Sequence, residues 1–306
     1  MGGSIQANED AACCYRAIEG DGMRVMWEIT SRCNMHCRHC FATPSPERDL
    51  PLSTVLDILR SMADAGVRKV AITGGEPLMR DDALRILSYI AELGMLPKLL
   101  TNGVLIDRAV VEHLAAIDGI EVSVSIDGAT AKTHDSIRRC RGAFDRVMQS
   151  LRLLAEYPAV QLNTTCVVTS LNQGDLPQIV EIARSFSAQS VNFSALLDVA
   201  GVDLPHIRAY RTRCPLSADV TAEVLRSAAE ARARYSDIAV RTIGLTSGDR
   251  VRCPAGHTVV YVDPQGGIHP CSLGRLAEPA SLLAESFESA LASLTLSGSV
   301  PWEVCR

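Results

Sequence analysis

Strand-like and helix-like stretches alternate from residue 24 to residue 195, and this alternation constrains the fold more than any other feature. "RVMWEIT" (24–30) reads as a strand, and "LSTVLDILRSMADAG" (52–66) as a helix whose apolar spacing stops at Gly66. "KVAIT" (69–73) is a short buried strand, followed by a helix over 81–94 that again closes on glycine. The order repeats with strands at 96–101, 120–127, 160–169 and 190–196, and with helices at 107–117, 143–157 and 176–188. Such alternation argues for parallel strands joined by right-handed crossovers. Six units are too few to close an eight-stranded barrel. The expected fold is therefore α/β, a partial (β/α)6 barrel with its working face at the carboxyl ends of the strands.

The polar signals fall at those ends. A cysteine-rich loop follows the first strand, "TGGEP" (73–77) the second, "TNG" (101–103) the third and "SIDG" (125–128) the fourth, while Asn163 and Thr165 lie within the fifth. Thiols, glycines, a carboxylate and amides thus gather on one side of the sheet.

The cysteine loop is "SRCNMHCRHCF" (31–41), with Cys33, Cys37 and Cys40 inside eight positions. A disulfide uses two thiols and a tetrahedral zinc site closes with four ligands. Three soft thiolates on one loop suit three corners of a [4Fe–4S] cube and leave one iron open. Zinc needs a further donor, which His36 or His39 could supply. The chain has eleven cysteines, and its N-terminus lacks a basic-then-apolar signal pattern, so a reducing, cytoplasmic setting and metal ligation are expected over disulfides. A formal charge of −5 gives no electrostatic reason to bind nucleic acid, and no apolar run is long enough to span a bilayer, so neither partner is expected. The basic run "IRRCRG" (137–142) reads as a solvated loop, Cys140 as incidental, Cys166 as core packing, and Cys13 and Cys14 as bystanders.

Taken together, C-x3-C-x2-C after the first strand, G-G-E-P after the second, then "LTNGV", "SIDGAT" and "THDSIRR" (133–139), resemble the radical S-adenosylmethionine superfamily over roughly residues 24–200. The resemblance implies that Cys33, Cys37 and Cys40 hold a [4Fe–4S] cluster whose open iron binds S-adenosylmethionine. It implies that the turn Gly74, Gly75, Glu76 and Pro77 holds the methionine amino group, with Glu76 as acceptor. Ser125 and Asp127 would lie near the ribose, with Asn163 a further candidate, and Arg138 would pair with the methionine carboxylate. His39 stands where the family often has an aromatic residue, and would stack on adenine. Arg139 stands where the family has glycine, so the local loop is expected to differ. The implied chemistry is one-electron cleavage of the sulfonium to a 5′-deoxyadenosyl radical, which removes a hydrogen atom from substrate. The electron donor would be a flavodoxin or a ferredoxin.

The tail changes character. Residues 197–215 read as a linker whose Asp198, Asp203 and His206 are solvated, 217–235 as a helix, 257–271 as a hairpin turning at Pro-Gln-Gly-Gly, and 281–294 as a helix. Cys253 and Cys271 flank the hairpin, with Gly266 five residues before Cys271. This resembles the start of SPASM and Twitch extensions, and implies an auxiliary iron–sulfur site to which Cys305 and Cys214 could contribute. The expected organisation is a lead segment (1–22), the barrel (23–200) and a truncated Twitch-like extension (201–306).

Only about 22 residues precede the first strand, too few for a leader-binding domain. The expected substrate is therefore a small polar metabolite of sugar, nucleoside or aminocyclitol type. Radical modification of a ribosomally made peptide is the alternative, and a non-catalytic metal-binding module is the alternative of another class.

Overall fold

The computed structural model describes residues 22–40, 42, 48–195, 218–243, 255–256, 258–272, 276 and 278–296. A ten-stranded sheet carries the chain. Strands β1 (Met23–Glu28), β2 (Val67–Thr73), β3 (Leu96–Thr101), β4 (Glu121–Ser125), β5 (Gln161–Val168) and β6 (Ser190–Ala195) are neighbours in that order, all parallel. Helices α1 (Leu52–Asp64), α2 (Ala83–Glu92), α3 (Arg108–Ala115), α4 (Ala131–Arg138), α5 (Ala143–Ala155) and α6 (Leu176–Ser185) connect them. The six expected units are present, in the expected order.

The strands alternate because their two faces meet different surroundings. Val70, Ile72, Leu99, Val122 and Val124 are fully buried and join the core formed with Leu59, Met62, Ile86, Leu87 and Ile90 of the helices. The other face of β4 carries Glu121, Ser123 and Ser125, in register with Gln161, Asn163 and Thr165 of β5. Period-two alternation therefore sorts apolar residues to the helices and polar residues to the barrel interior.

Beyond residue 200 the sheet continues on both edges. Helix α7 (Ala218–Arg234) leads to β7 (Ala239–Ile243), a seventh parallel strand paired with β6. Its five residues include Arg241 and Thr242, so pairing rather than hydrophobic pattern marks it as a strand. On the far edge β8 (Val259–Val262) lies parallel to β1, and β9 (Gly267–His269) returns antiparallel to it. This is the expected hairpin. Its turn is closed by Gly266, whose amide donates to the Asp263 carbonyl and whose φ of 84° suits glycine. Asp263 also accepts from the amides of Gln265 and Gly267 and lies 2.9 Å from His269 Nε2.

The expected helix over 281–294 starts later than its sequence suggests. Ala280–Ser281 form β10 against β9, and Ser286 Oγ accepts from the Ser289 amide to start α8 (Phe287–Leu296). The Phe287 amide donates to Ser61 Oγ, docking α8 on α1. The "IRRCRG" run is also corrected. Arg138 is the last residue of α4 and is buried, while Arg139 caps the helix in the left-handed region at φ 52°. Arg139 adopts a conformation that glycine would take more readily. Among the described residues, no helix is long and apolar enough to cross a membrane.

Candidate active site

The cysteine loop is pinned from three sides. The Gly75 amide donates to the Thr30 carbonyl, and the Glu76 amide to the Arg32 carbonyl, both at 2.8 Å. A Cβ on Gly75 would lie 2.1 Å from Arg32 O, and one on Gly74 2.4 Å from Thr30 O. The glycine pair thus lets the turn after β2 lie against the loop after β1. From β3, Asn102 Nδ2 donates to Asn34 Oδ1 at 2.7 Å. From the end of α4, the Ser136 and Ile137 carbonyls accept from Arg38 Nε and its amide.

These contacts frame a cavity of about 240 Å³. Cys33, Cys37 and Cys40 open onto it, together with Gly74, Gly75, Glu76 and His39. No disulfide joins the described cysteines. Burial pushes the Cys33 thiol up to about 11, with the neighbouring Cys37, Glu76 and Cys40 adding to the rise, and burial raises Cys37 and Cys40 as well. Thiols in that state ionise when a cation takes them as ligands.

A single zinc ion fits this geometry poorly. Among the described residues, no three His, Cys, Asp or Glu side chains converge on one ion. His36 is exposed, and His39 is turned toward Asp127, with Nε2 3.5 Å from Oδ2. Three cysteines lining one cavity with a buried carboxylate are the donor set that a cube with one open corner would take.

Glu76 is fully buried and held in place. Its Oε1 accepts from Thr101 Oγ1 at 2.8 Å and from the Leu78 amide at 3.2 Å, and its Oε2 accepts from the Asn102 amide at 2.8 Å. Burial raises its carboxyl above the usual range, and these hydrogen bonds and the Arg138 charge only partly oppose that. A cationic ammonium in the cavity would favour the ionised form. Pro77 opens a short 3₁₀ turn, Pro77–Met79, behind it.

Two expected ribose contacts lie elsewhere. Asp127 is completely buried: Oδ1 accepts from the Val167 amide at 2.9 Å and Oδ2 meets Arg138 Nε at 2.7 Å. Burial alone would raise its pKa, but the Arg138 guanidinium, helped by His39 and His134, holds it below the usual carboxylate range. Asn163 bonds to Ser190 Oγ and the Gln161 carbonyl within the strands. Ser125, with Thr165 beside it in register, does line the cavity. Arg138 also lines it, and its Nη1 lies 3.7 Å from Cys37 Sγ.

The sequence reading missed Ser123 and Glu28. Both are buried on the cavity wall, and Ser123 Oγ has no hydrogen-bond partner among the described residues. The Ser-Val-Ser alternation of β4 was the only signal for Ser123. In the tail, Cys271 follows β9 near the amino-terminal end of β1, opposite the cysteine loop, and Pro270 O accepts from the Gly256 amide. Cys253, Cys214 and Cys305, like Asp198, Asp203 and His206, lie outside the described residues.

A partial parallel barrel with three cysteine sulfurs, a buried glutamate and a double-glycine turn at its strand ends defines a class of cofactor-dependent radical enzymes. The Radical SAM superfamily matches residues 27–183, and the chain belongs to it. It is an enzyme family that uses a [4Fe–4S] cluster and S-adenosylmethionine. The AdoMet-dependent heme synthase of Methanosarcina barkeri is 29% identical over 271 residues, covering 81% of this chain and 76% of that protein. The mycofactocin maturase MftC of Mycobacterium ulcerans is 31% identical over 264 residues, covering 80% and 67%. The crystal structure of Streptococcus suis SuiB bound to precursor peptide SuiA aligns with a TM-score of 0.68 at 20% identity, covering 88% of this chain and 64% of that one. At that identity the likeness concerns the fold.

Proposed function

We propose that the chain modifies a peptide by radical chemistry at this cavity. The observation that carries the radical step is the convergence of Cys33, Cys37 and Cys40 with the buried, three-times hydrogen-bonded Glu76. The three cysteines would hold the cluster, and Glu76 the methionine ammonium. Ser125 and Thr165 would face the nucleoside, with His39 at its edge. Bound together, cluster and S-adenosylmethionine supply a one-electron cleavage that ends in hydrogen-atom abstraction from substrate. The protein holds the reacting groups in place and excludes water. Asp127 acts behind the wall, fixing Arg138 toward the methionine carboxylate. A flavodoxin or ferredoxin would supply the electron.

A peptide substrate replaces the small metabolite expected from sequence. The relative MftC is named as the maturase of mycofactocin. The heme synthase relative supports a second reading, a small-molecule substrate, through its name alone. Cys271, with Cys253, Cys214 and Cys305, would hold the auxiliary cluster.

The test is to reconstitute the protein with iron and sulfide without oxygen, reduce it, add S-adenosylmethionine, and measure 5′-deoxyadenosine. Peptides encoded beside its gene are then added and weighed by mass spectrometry. Peptide-dependent 5′-deoxyadenosine together with a changed peptide mass supports the reading. If no 5′-deoxyadenosine forms, the radical assignment fails. If it forms but the peptides are unchanged while a small metabolite is consumed, the second reading replaces the first.

A further inference from the structure

Arg138 is placed to do more than bind a carboxylate. Its guanidinium sits at the end of α4 with the side chain 9% exposed. Each nitrogen has a different environment. Nε meets Asp127 Oδ2 at 2.7 Å, Nη1 lies 3.7 Å from Cys37 Sγ, and Nη2 has no partner among the described residues. Asp127 is itself immobilised. Oδ1 accepts from the Val167 amide, its backbone carbonyl accepts from Asn172 Nδ2 at 3.0 Å, and its amide donates to His134 Nδ1 at 3.1 Å. The carboxylate therefore grips Arg138 from behind and leaves the Nη1 edge against a cysteine of the cofactor loop.

We infer that Arg138, aimed by Asp127, raises the reduction potential of the cluster through Cys37. The inference rests on the proposed ligand set. A donor on a cluster sulfur withdraws electron density from it, and a cation nearby in a low-dielectric site favours the more negative, reduced cluster. Asp127 does not cancel this, because it binds the opposite edge of the guanidinium and Arg138 is the nearer charge to the sulfur. The same guanidinium retains Nη2 for an anion in the cavity. Arg138 is thus a positioning residue that links cofactor binding to the ease of reduction.

The test is an EPR-monitored redox titration of the reconstituted full chain without S-adenosylmethionine. A Cys271→Ala background removes the signal of a tail cluster. Arg138→Gln is expected to lower the reduced-to-oxidised ratio at a fixed potential about tenfold, which is about 59 mV for one electron. Asp127→Asn loses the aim of the guanidinium but also removes a buried negative charge that opposes reduction, so its shift is expected to be smaller than that of Arg138→Gln. An unchanged midpoint in Arg138→Gln overturns the inference. Should that variant fail to assemble a cluster, Arg138→Met serves instead: it removes both the charge and the donor at similar side-chain length, and an unchanged midpoint there also overturns the inference. A parent chain that assembles no reducible cluster overturns the ligand assignment instead, so the two failures are distinguishable.

Discussion

The Asn102 amide donates to Glu76 Oε2 at 2.8 Å, joining the end of β3 to the turn after β2. With Thr101 on the other oxygen, this bond holds the carboxylate at the cavity wall and partly opposes the rise in pKa that burial imposes. The site depends on such cross-strand contacts more than on any one motif.

Glu76→Gln tests that carboxylate. The amide cannot accept from both Asn102 and Thr101 while offering a negative charge to an ammonium. Losing a charge-assisted hydrogen bond costs about 1.5–3 kcal/mol, so affinity for S-adenosylmethionine should fall at least about tenfold. Equilibrium binding to the reconstituted protein measures it, and unaltered affinity contradicts the role.

Gly75→Ala tests the contact between loops. Its Cβ would meet Arg32 backbone atoms at 2.1 and 2.5 Å, which cannot yield by a rotamer change. The expected cost is about 3 kcal/mol in denaturant unfolding. Gly66→Ala is the comparison: φ is 78° but a Cβ would find open space, so about 1 kcal/mol is expected.

Cys37→Ala should abolish loop-bound iron while leaving the far-ultraviolet circular dichroism unchanged, because the thiol is no part of the sheet core. Cys271→Ala should lower total iron without touching the loop cluster. Equal iron in Cys271→Ala and the parent would argue that the tail holds none.

Arg139→Gly should stabilise the chain. Arg139 caps α4 at φ 52° and ψ 40°, a conformation that costs a side-chain-bearing residue about 1–2 kcal/mol. Glycine's greater freedom in the unfolded chain returns part of that, so a net gain of about 0.5–1 kcal/mol is expected. Thermal unfolding of the iron-free protein reads it.

Acid should destabilise the fold through His134. Burial, with Arg138 nearby, lowers its pKa to about 4 despite Asp127 and Asp135, against about 6.5 when unfolded. The unfolded chain binds the proton first. This contribution is therefore complete above pH 6.5 and declines as pH falls toward 4, by about 2 kcal/mol between pH 7 and 5. Unfolding free energies of the iron-free chain at those two values, with and without His134→Gln, check the sign: the variant should show the shallower slope.

Sequence alone determined the parallel α/β framework, because amphipathic helices alternating with six short strands have few ways to bury their apolar faces. It also placed the cysteine loop, "GGEP" and Ser125 at the working end, since strand ends are legible from where apolar runs stop. It did not show that β7 and β8 extend the sheet at its two edges, because their pairing is set by partners distant in the chain. Nor did it show that Asp127 faces Arg138 rather than the cavity, or that Ser123 lines it. An acidic or hydroxyl side chain at a strand end has the same sequence signature whether it meets ligand or protein. Only the folded neighbours, through burial and competing hydrogen bonds, decide which.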